Sequence, residues 1–305
     1  MTPAAPDRIS VCICTFKRPV MLARLFERLD DQVDGSGFVF DVVVVDNDLS
    51  RSAEQTVANA KRNCRVSIIY DCEPRQNISL ARNRAIRNAT GNLIAFIDDD
   101  EAPVPDWLAR LHFTLRECNA DGVLGPVVPE FPPGAPRWLE SLRSFQRRRL
   151  STGTPIASED ARTGNLLIRR SIFVDENEWF DAAFGRTGGE DSDFFGRQSR
   201  QRRVFVWCDE APVYETVPPE RWRVSYHVKR YLRSGTLDGE RMRAGSLPSR
   251  GLIVWNLALF FACAVITPFS LVLRRHITTR VLQKLAYCGG MITAFYGVSL
   301  LRYRD

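Results

Sequence analysis

No glycine fingerprint follows the first apolar run of this chain. The turn there reads Thr15–Phe16–Lys17–Arg18–Pro19. A dinucleotide-binding protein would carry Gly-x-Gly-x-x-Gly at this point, and a P-loop protein Gly-x-x-x-x-Gly-Lys. Dehydrogenase and P-loop NTPase chemistry therefore lose their main support. Cys-x-x-Cys is missing too. The eight cysteines (Cys12, Cys14, Cys64, Cys72, Cys118, Cys208, Cys263 and Cys288) offer neither a zinc site nor a thioredoxin-like pair. Most lie in apolar stretches and read as small buried hydrophobes in a reducing compartment. Residues 1–8 lack the apolar core of a signal peptide. The body of the protein is thus expected in the cytoplasm, and the sequons Asn77–Ile78–Ser79 and Asn88–Ala89–Thr90 are expected to be incidental. No basic segment is interleaved with aromatics in a nucleic-acid module, and Arg147–Arg148–Arg149 reads as a solvated helix face.

What is present is enough for a large core. The chain has 305 residues, 45% hydrophobic and 26% charged. This points to one main domain, drawn at 1–240, and a hydrophobic helical appendage at 241–305. The formal charge of +6 favours anionic partners such as phosphates or acidic lipid surfaces.

The first half alternates short apolar strands with helical segments. Strands are expected at 9–14, 41–46, 66–70, 93–97 and 122–128. The run Val42–Val43–Val44–Val45 is too stiff at its side chains to prefer helix. Helices are expected at 19–29, 52–62, 78–88 and 106–118, with Pro19 near the first helical position and Gly91 as a plausible stop. This alternation predicts an α/β fold with a mostly parallel, Rossmann-like sheet flanked by helices. Beyond Pro129 the texture changes. Trp138, Leu139, Leu142 and Phe145 have rough helical spacing among arginines, so 137–150 is read as an amphipathic helix on a membrane, over an acceptor site or on the core. Asn165–Leu166–Leu167–Ile168 is expected to return to the sheet, a helix to span 189–203 and a strand 204–208. A further helix over 221–233 is expected to end near Gly235.

Chemistry concentrates where Leu93–Ile94–Ala95–Phe96–Ile97 runs into Asp98–Asp99–Asp100–Glu101. A short apolar run of this kind reads as a buried parallel strand. Its carboxyl end is where open α/β sheets bind ligands. Closely packed carboxylates repel one another unless a cation sits among them, and oxygen-rich sites suit Mg2+ or Mn2+ shared with substrate phosphates. Alternate residues of an extended chain point the same way, so Asp98 and Asp100 can share one ligand. Asp46, at the end of the valine strand, can accept a hydrogen bond from a base or ribose edge. Arg82, in the first turns of the helix after Asn77, suits planar recognition of a base or phosphate. Downstream, Gly188–Gly189–Glu190–Asp191–Ser192–Asp193–Phe194–Phe195 sets paired glycines before a helix whose positive end favours carboxylates. Together with the upstream aspartates, this segment is a candidate source of a general base.

Taken in order, Thr15, Asp46, Ala81–Arg82–Asn83, Asp98–Asp99–Asp100 and Gly189–Glu190–Asp191 resemble family 2 glycosyltransferases of the GT-A fold, over roughly 9–235. Within that family, 189–195 is similar to bacterial exopolysaccharide glucosyltransferases of the succinoglycan-biosynthesis type. The resemblance implies a metal-dependent inverting hexosyltransferase. Thr15, Asp46 and Arg82 would contact the nucleoside of a UDP-sugar. Asp98 or Asp99 would lie at the ribose or sugar, and Asp100, with Asp98, would bind Mn2+ or Mg2+. Asp191 would be the base, supported by Glu190, while Gly164 and Asn165 would line the donor sugar. Arg221, Trp222, Arg223, His227 and Arg230 would face the diphosphate or acceptor. That last stretch departs from the Gln-x-x-Arg-Trp pattern of processive synthases, which argues against a polymerising enzyme.

The tail carries two uncharged apolar runs, 252–273 and 285–301. Between them lie Arg274, Arg275, Arg280 and Lys284. The first run is long enough to cross a bilayer. Two full crossings would place the basic linker outside, against the positive-inside rule. One crossing, or helices lying in the membrane plane, relieves the conflict. Attachment to the cytoplasmic face of the cell membrane is expected, with a lipid-linked saccharide as acceptor and no nucleic acid as partner. Two rival readings are a sugar nucleotidyltransferase and a non-catalytic nucleotide-sugar sensor. The first lacks its glycine- and basic-rich loop, and transfer from a UDP-sugar by the purified protein separates the second.

Overall fold

A computed structural model describes residues 6–32, 37–176, 179–186, 188–245 and 250–298. The chain divides into two compact units. One comprises Met1–Pro129 and Arg147–Thr216, the other Glu130–Gln146 and Val217–Asp305. The boundary drawn from sequence at 240 falls inside a helix of the second unit.

The first unit is built on strands β1 (Asp7–Thr15), β2 (Phe38–Asp46), β3 (Ile68–Cys72), β4 (Leu93–Phe96), β5 (Glu101–Pro103), β6 (Gly122–Leu124), β7 (Val127–Glu130), β8 (Leu166–Arg169), β9 (Phe205–Trp207) and β10 (Val213–Thr216). The main sheet runs β3-β2-β1-β4-β8-β6-β9. β1 pairs in parallel with β2 and β4, β2 with β3, and β6 with β9. β8 alone runs antiparallel, between β4 and β6. The chain winds from β1 out to β3, then crosses back to place β4 on the other side of β1. The carboxyl ends of β1 and β4 therefore flank the point where the strand order reverses, which is where such sheets hold ligands.

Alternation along the strands sorts the core into two layers. Ile9, Val11 and Ile13 of β1 join Val42 and Val44 of β2 on one face. These pack with Leu22, Leu25 and Phe26 of α1 (Pro19–Asp30) and Trp107, Leu108 and Leu111 of α4 (Trp107–Glu117). Cys12, Val43, Val45, Ile94 and Phe96 face the other way. They meet Ala81, Ala85 and Ile86 of α3 (Ile78–Asn88) and Phe194 and Phe195 of α5 (Glu190–Arg200). The remaining helix of this unit is α2 (Glu54–Asn63). Helix α3 starts where the sequence predicts, because the Asn77 carboxamide oxygen accepts from the Leu80 amide at 3.1 Å and caps it.

Several expectations change. The strand expected over 122–128 breaks at Gly125–Pro126, since proline has no N–H for a ladder. Its second half, β7, joins β5 and β10 in a separate three-stranded sheet. The amphipathic helix expected over 137–150 is instead a row of three-residue turns, with Leu142 N–H donating to the Leu139 carbonyl and Phe145 N–H to that of Leu142. A period of three lines up Leu139, Leu142 and Phe145 without a helix, which is why the spacing misled. The cysteines are all free. Cys12, Cys72, Cys208 and Cys288 are buried and Cys118 is exposed.

The second unit holds α6 (Val224–Arg243), α7 (Arg250–Ser270) and α8 (Arg275–Phe295). Helix α6 does not stop at Gly235. It continues because Gly235 and Gly239 bring its backbone against that of α8. Helix α8 begins well before the second apolar run and takes Arg275, Arg280 and Lys284 into its first half. The residues at 299–301 of that run lie outside the described ones.

Gly91 shows how tightly the first unit is closed. A Cβ there would sit 2.3 Å from the Arg8 carbonyl and 2.8 Å from the Ser10 nitrogen, both backbone. Gly91→Ala is expected to cost about 1–3 kcal/mol, as overpacking does. Urea unfolding measures this, and a variant as stable as the parent would contradict the close approach.

Candidate active site

Of the residues picked out by sequence, Thr15 and Asp98–Asp99–Asp100 lie at the carboxyl edge of β1 and β4. Thr15 ends β1, and its hydroxyl donates to Asp99 Oδ2 at 2.7 Å. The Arg18 guanidinium, at the entry to α1, reaches Asp99 Oδ1 at 2.8 Å and Asp100 Oδ2 at 2.9 Å. Asp99 is thereby buried between a hydroxyl and a cation. Asp98 differs: it keeps an exposed side chain at the rim. Crowding by surrounding protein pushes its carboxyl up to about 7, and the like charges of Asp100, Asp191 and Asp99 add to this against the pull of Arg82. Glu101 is buried and accepts from the Asp98 amide at 3.0 Å. Burial, then the charge of Asp98, drives its carboxyl well above the ordinary range.

The second carboxylate group comes from the start of α5. Gly188 and Gly189 have φ of +91° and +93°, a region that side chains other than glycine rarely adopt. They turn the chain so that Glu190 and Asp191 occupy the first turn. Arg82 Nη1 bonds Glu190 Oε1 at 2.7 Å and Asp191 Oδ1 at 2.9 Å, while its guanidinium lies 5.3 Å from the Phe180 ring centre. The Thr163 hydroxyl donates to Asp191 Oδ1 at 2.8 Å. Among the described residues, Asp191 Oδ2 has only a 3.4 Å contact to the Thr163 amide, so it retains acceptor capacity. Removing one partner of so buried a pair leaves an uncompensated charge, typically worth about 3–5 kcal/mol.

Three assignments read from sequence look different in place. Arg82 is expected at the nucleotide, but its Nη1 is turned to Glu190 and Asp191, because two carboxylates of a helix start outcompete solvent for a buried guanidinium. Asp46 is expected at the base, but it has no accessible surface. Its carboxylate accepts from the Ala53 amide at 2.7 Å, the Asp48 amide at 3.1 Å and the Tyr70 hydroxyl at 3.2 Å, and so ties the loop after β2 to the start of α2. Asn165 is expected along the donor sugar, but its side chain is fully engaged. Its amide donates to the Pro126 and Ala211 carbonyls at 3.0 and 2.8 Å, and its oxygen accepts from Trp107 Nε1 at 2.7 Å. Its neighbour Gly164 does border the acidic tip: a Cβ there would lie 2.9 Å from Glu101 Oε1 and 3.3 Å from Asp98 Oδ2.

Arg221, Trp222, Arg223, His227 and Arg230 belong to the second unit. His227 is fully buried among the rings of Trp138, Phe145 and Tyr226, and its Nε2 donates to the Arg221 carbonyl at 2.9 Å, so it offers no surface to a ligand. Trp222 Nε1 donates to the Val217 carbonyl at 3.0 Å. Arg223 and Arg230 are exposed. Sequence reasoning missed Arg18 and Thr163, and it counted Glu101 among the four carboxylates without giving it a role. Arg18 has a signal in the sequence, a cation in the turn directly after β1.

Among the described residues, no three Asp, Glu, His or Cys side chains form a ready metal cage. A hard cation of the Mg2+ type does not need one, since it binds through one or two carboxylates together with substrate phosphates. Desolvation raises the Asp98 carboxyl most, and the neighbouring carboxylates add to it; a cation would relieve that second contribution, so Asp98 and Asp100 fit that donor set.

Residues 10–175 match the family model described as glycosyl transferase family 2. The chain belongs to glycosyltransferase family 2. It is 35% identical over 277 residues to the succinoglycan biosynthesis protein ExoM of Rhizobium meliloti (strain 1021), covering 88% of this chain and 87% of that protein. Among solved structures it resembles the mannosyltransferase PcManGT from Pyrobaculum calidifontis in complex with GDP-Man and Mn2+, at a TM-score of 0.66 and 15% identity, over 96% of this chain and 88% of that one. It also resembles S. aureus TarS 1–349 in complex with UDP, at a TM-score of 0.54 and 18% identity, over 97% and 93%. At these identities the structures establish the fold, GT-A. This family 2 glycosyltransferase therefore uses a nucleotide-sugar donor.

The raised Asp98 carboxyl has a measurable sign. Free aspartate titrates near 3.9, so between about pH 4 and pH 7 the folded protein holds a proton that the unfolded chain has lost. The stability this proton contributes is present at pH 4 and fades as pH rises through 7. In metal-free buffer the melting temperature is expected to fall over that interval, with a shallower fall in Asp98→Asn. Identical pH profiles would remove Asp98 as a source.

Proposed function

We propose that this protein is an inverting, metal-dependent hexosyltransferase. It moves a sugar from a UDP-hexose such as UDP-glucose to a hydroxyl of a lipid-linked saccharide, at the cytoplasmic face of the membrane, in exopolysaccharide or cell-surface glycan synthesis. The observation that carries this reading is the pairing of two carboxylate groups at one sheet edge. Asp98–Asp100 stand at the end of β4, and Asp191 is bonded by Thr163, whose neighbour Gly164 borders Asp98. The similarity to ExoM supports the exopolysaccharide role. The Mn2+ and UDP named for structures of the same fold support the choice of cofactor and donor.

Each residue then has a task. Asp191 Oδ2 accepts the proton of the acceptor hydroxyl as its oxygen attacks the anomeric carbon. Arg82 and Thr163 hold the other oxygen, fixing the carboxylate in one orientation. Attack from the face opposite the departing diphosphate inverts the anomeric configuration. Asp98 and Asp100 would hold Mn2+ or Mg2+, which when bound supplies Lewis-acid neutralisation of charge on the leaving diphosphate. Thr15 and Arg18 keep Asp99 in place, and Arg18 adds a positive charge beside the site of the phosphates.

Asp191→Asn keeps the shape of the site and removes the base. It is expected to lower transfer by at least about 100-fold, as loss of a general base does, with UDP-sugar affinity nearly unchanged. Transfer and titration of UDP-sugar binding, measured on the same preparation, read the two effects separately. Full transfer by the variant would take Asp191 out of the role.

A further inference from the structure

Helix α7 is the one described helix long and apolar enough to cross a membrane, with mean hydropathy 2.1 over Gly251–Ser270. Its polar residues are not scattered around it. Ile253, Asn256 and Ser270 are buried, with Phe260, Cys263 and Thr267 half-buried between them. Steps of three and four residues put all of these on one stripe. The stripe faces α8. Ile253 packs with Met291, Asn256 Oδ1 lies 3.3 Å from Cys288 Sγ, and a Cβ on Gly289 would sit 3.3 Å from the Phe260 ring. At the far end, the Thr278 hydroxyl donates to the Ser270 carbonyl at 2.5 Å. Thr267 and Ser270 return their hydroxyls to backbone carbonyls of α7. The rest of the circumference is apolar and open: Val254, Trp255, Phe261, Val265, Ile266 and Phe269 are 49–69% exposed. Water does not tolerate an uninterrupted apolar face of this extent.

Helix α8 packs against both α6 and α7, meeting α6 at Tyr287 and Gly290 and α7 at Cys288 and Gly289. The contacts just given run α7 antiparallel to α8 along its length. Helix α6 runs parallel to α8: Gly235 lies against the Tyr287 carbonyl, Gly239 against that of Met291, and the Tyr287 hydroxyl donates to Asp238 at 2.7 Å. A helix that crossed the bilayer in this packing would carry its neighbours with it. Helix α6 would then bring Lys229, Arg230, Arg233, Asp238, Glu240 and Arg241 alongside the crossing segment, and α8 would bring Arg280 and Lys284. Charged side chains at that depth are expensive, and these lie on helices that continue side by side with α7.

We propose that α7 does not cross the membrane: it lies along one leaflet, its open apolar face in the acyl chains and its packed stripe on α8, with α6 on the aqueous side. The occupant of that face is a lipid bilayer and not a protein. The open arc exceeds half of the helix circumference, and of the residues named on it only Trp255 can donate a hydrogen bond, a residue type that settles at the level of lipid headgroups. Arg274 and Arg275, both exposed at the end of α7, suit anionic headgroups. A helix in the interfacial plane buries its apolar face only to the acyl boundary, which leaves the charged helices above it hydrated. This inference rests on the membrane reading above and adds its geometry.

Depth along α7 tests it. A dansyl amino acid is placed at position 254, 261 or 269 of the full chain by stop-codon suppression. Each protein is bound to phosphatidylethanolamine–phosphatidylglycerol vesicles containing nitroxide at the headgroup, shallow on the acyl chain or at its end. Positions 254 and 269 are about 22 Å apart along the helix. An in-plane helix gives one depth for all three, quenched best by the shallow nitroxide. A crossing helix puts position 261 at the midplane, quenched best by the acyl-end nitroxide, with 254 and 269 near opposite surfaces, and that result overturns the proposal. Vesicle flotation with no quenching at any position also overturns it, since another surface then does the binding. Failure to float overturns the membrane reading as well, and transfer from UDP-sugar to a soluble acceptor would then show the donor chemistry standing without it.

Discussion

The first unit depends on holding more negative charge at one sheet edge than its own cations neutralise. Asp98, Asp99, Asp100 and Glu101 follow β4 in succession, with Glu190 and Asp191 nearby. Arg18 pairs with Asp99 and Asp100, and Arg82 with Glu190 and Asp191. The bonds are not evenly shared. Asp99 is enclosed by Thr15 and Arg18, Asp191 and Glu190 are gripped by Arg82, and Asp98 is left with an exposed carboxyl pushed up to about 7. This imbalance makes the edge a place for a cation that arrives with a diphosphate. It also explains the close glycine at 164, where any side chain would press on the same carboxylates.

The topology supplies the edge before the residues supply the charge. Strand order reverses between β1 and β4, so helices lead away on both sides and leave their carboxyl ends open. Thr15 and Asp98 come from those two strand ends. The second carboxylate group is brought in by a left-handed pair of glycines and by the positive end of α5, both local features.

Much of this was legible in sequence, for physical reasons. The strand before Asp98 is too apolar and too short for anything but a buried strand, and α3 carries its own cap in Asn77. What was not legible is where polar side chains turn. Asp46 has the residue type and position to meet a base, yet the donors around it are the amides of its own loop. Asn165 sits beside a site residue but serves three long-range bonds, and no local pattern encodes partners as distant as Pro126, Ala211 and Trp107. The period of three at 139, 142 and 145 mimics a helix because successive turns and helices both return side chains to one face. In the second unit, hydropathy located α7 but not its setting. That setting comes from the glycines of α6 and α8, which draw a charged helix alongside an apolar bundle partner.

The claim on which the rest stands is that the acidic tip of β4 receives a divalent cation together with the donor diphosphate. Crystals soaked with UDP and Mn2+, measured at the manganese absorption edge, test it most directly. The account predicts an anomalous peak within coordination distance of Asp98 or Asp100, with the diphosphate completing its ligands. A peak elsewhere, or UDP bound with the tip bare, would contradict it.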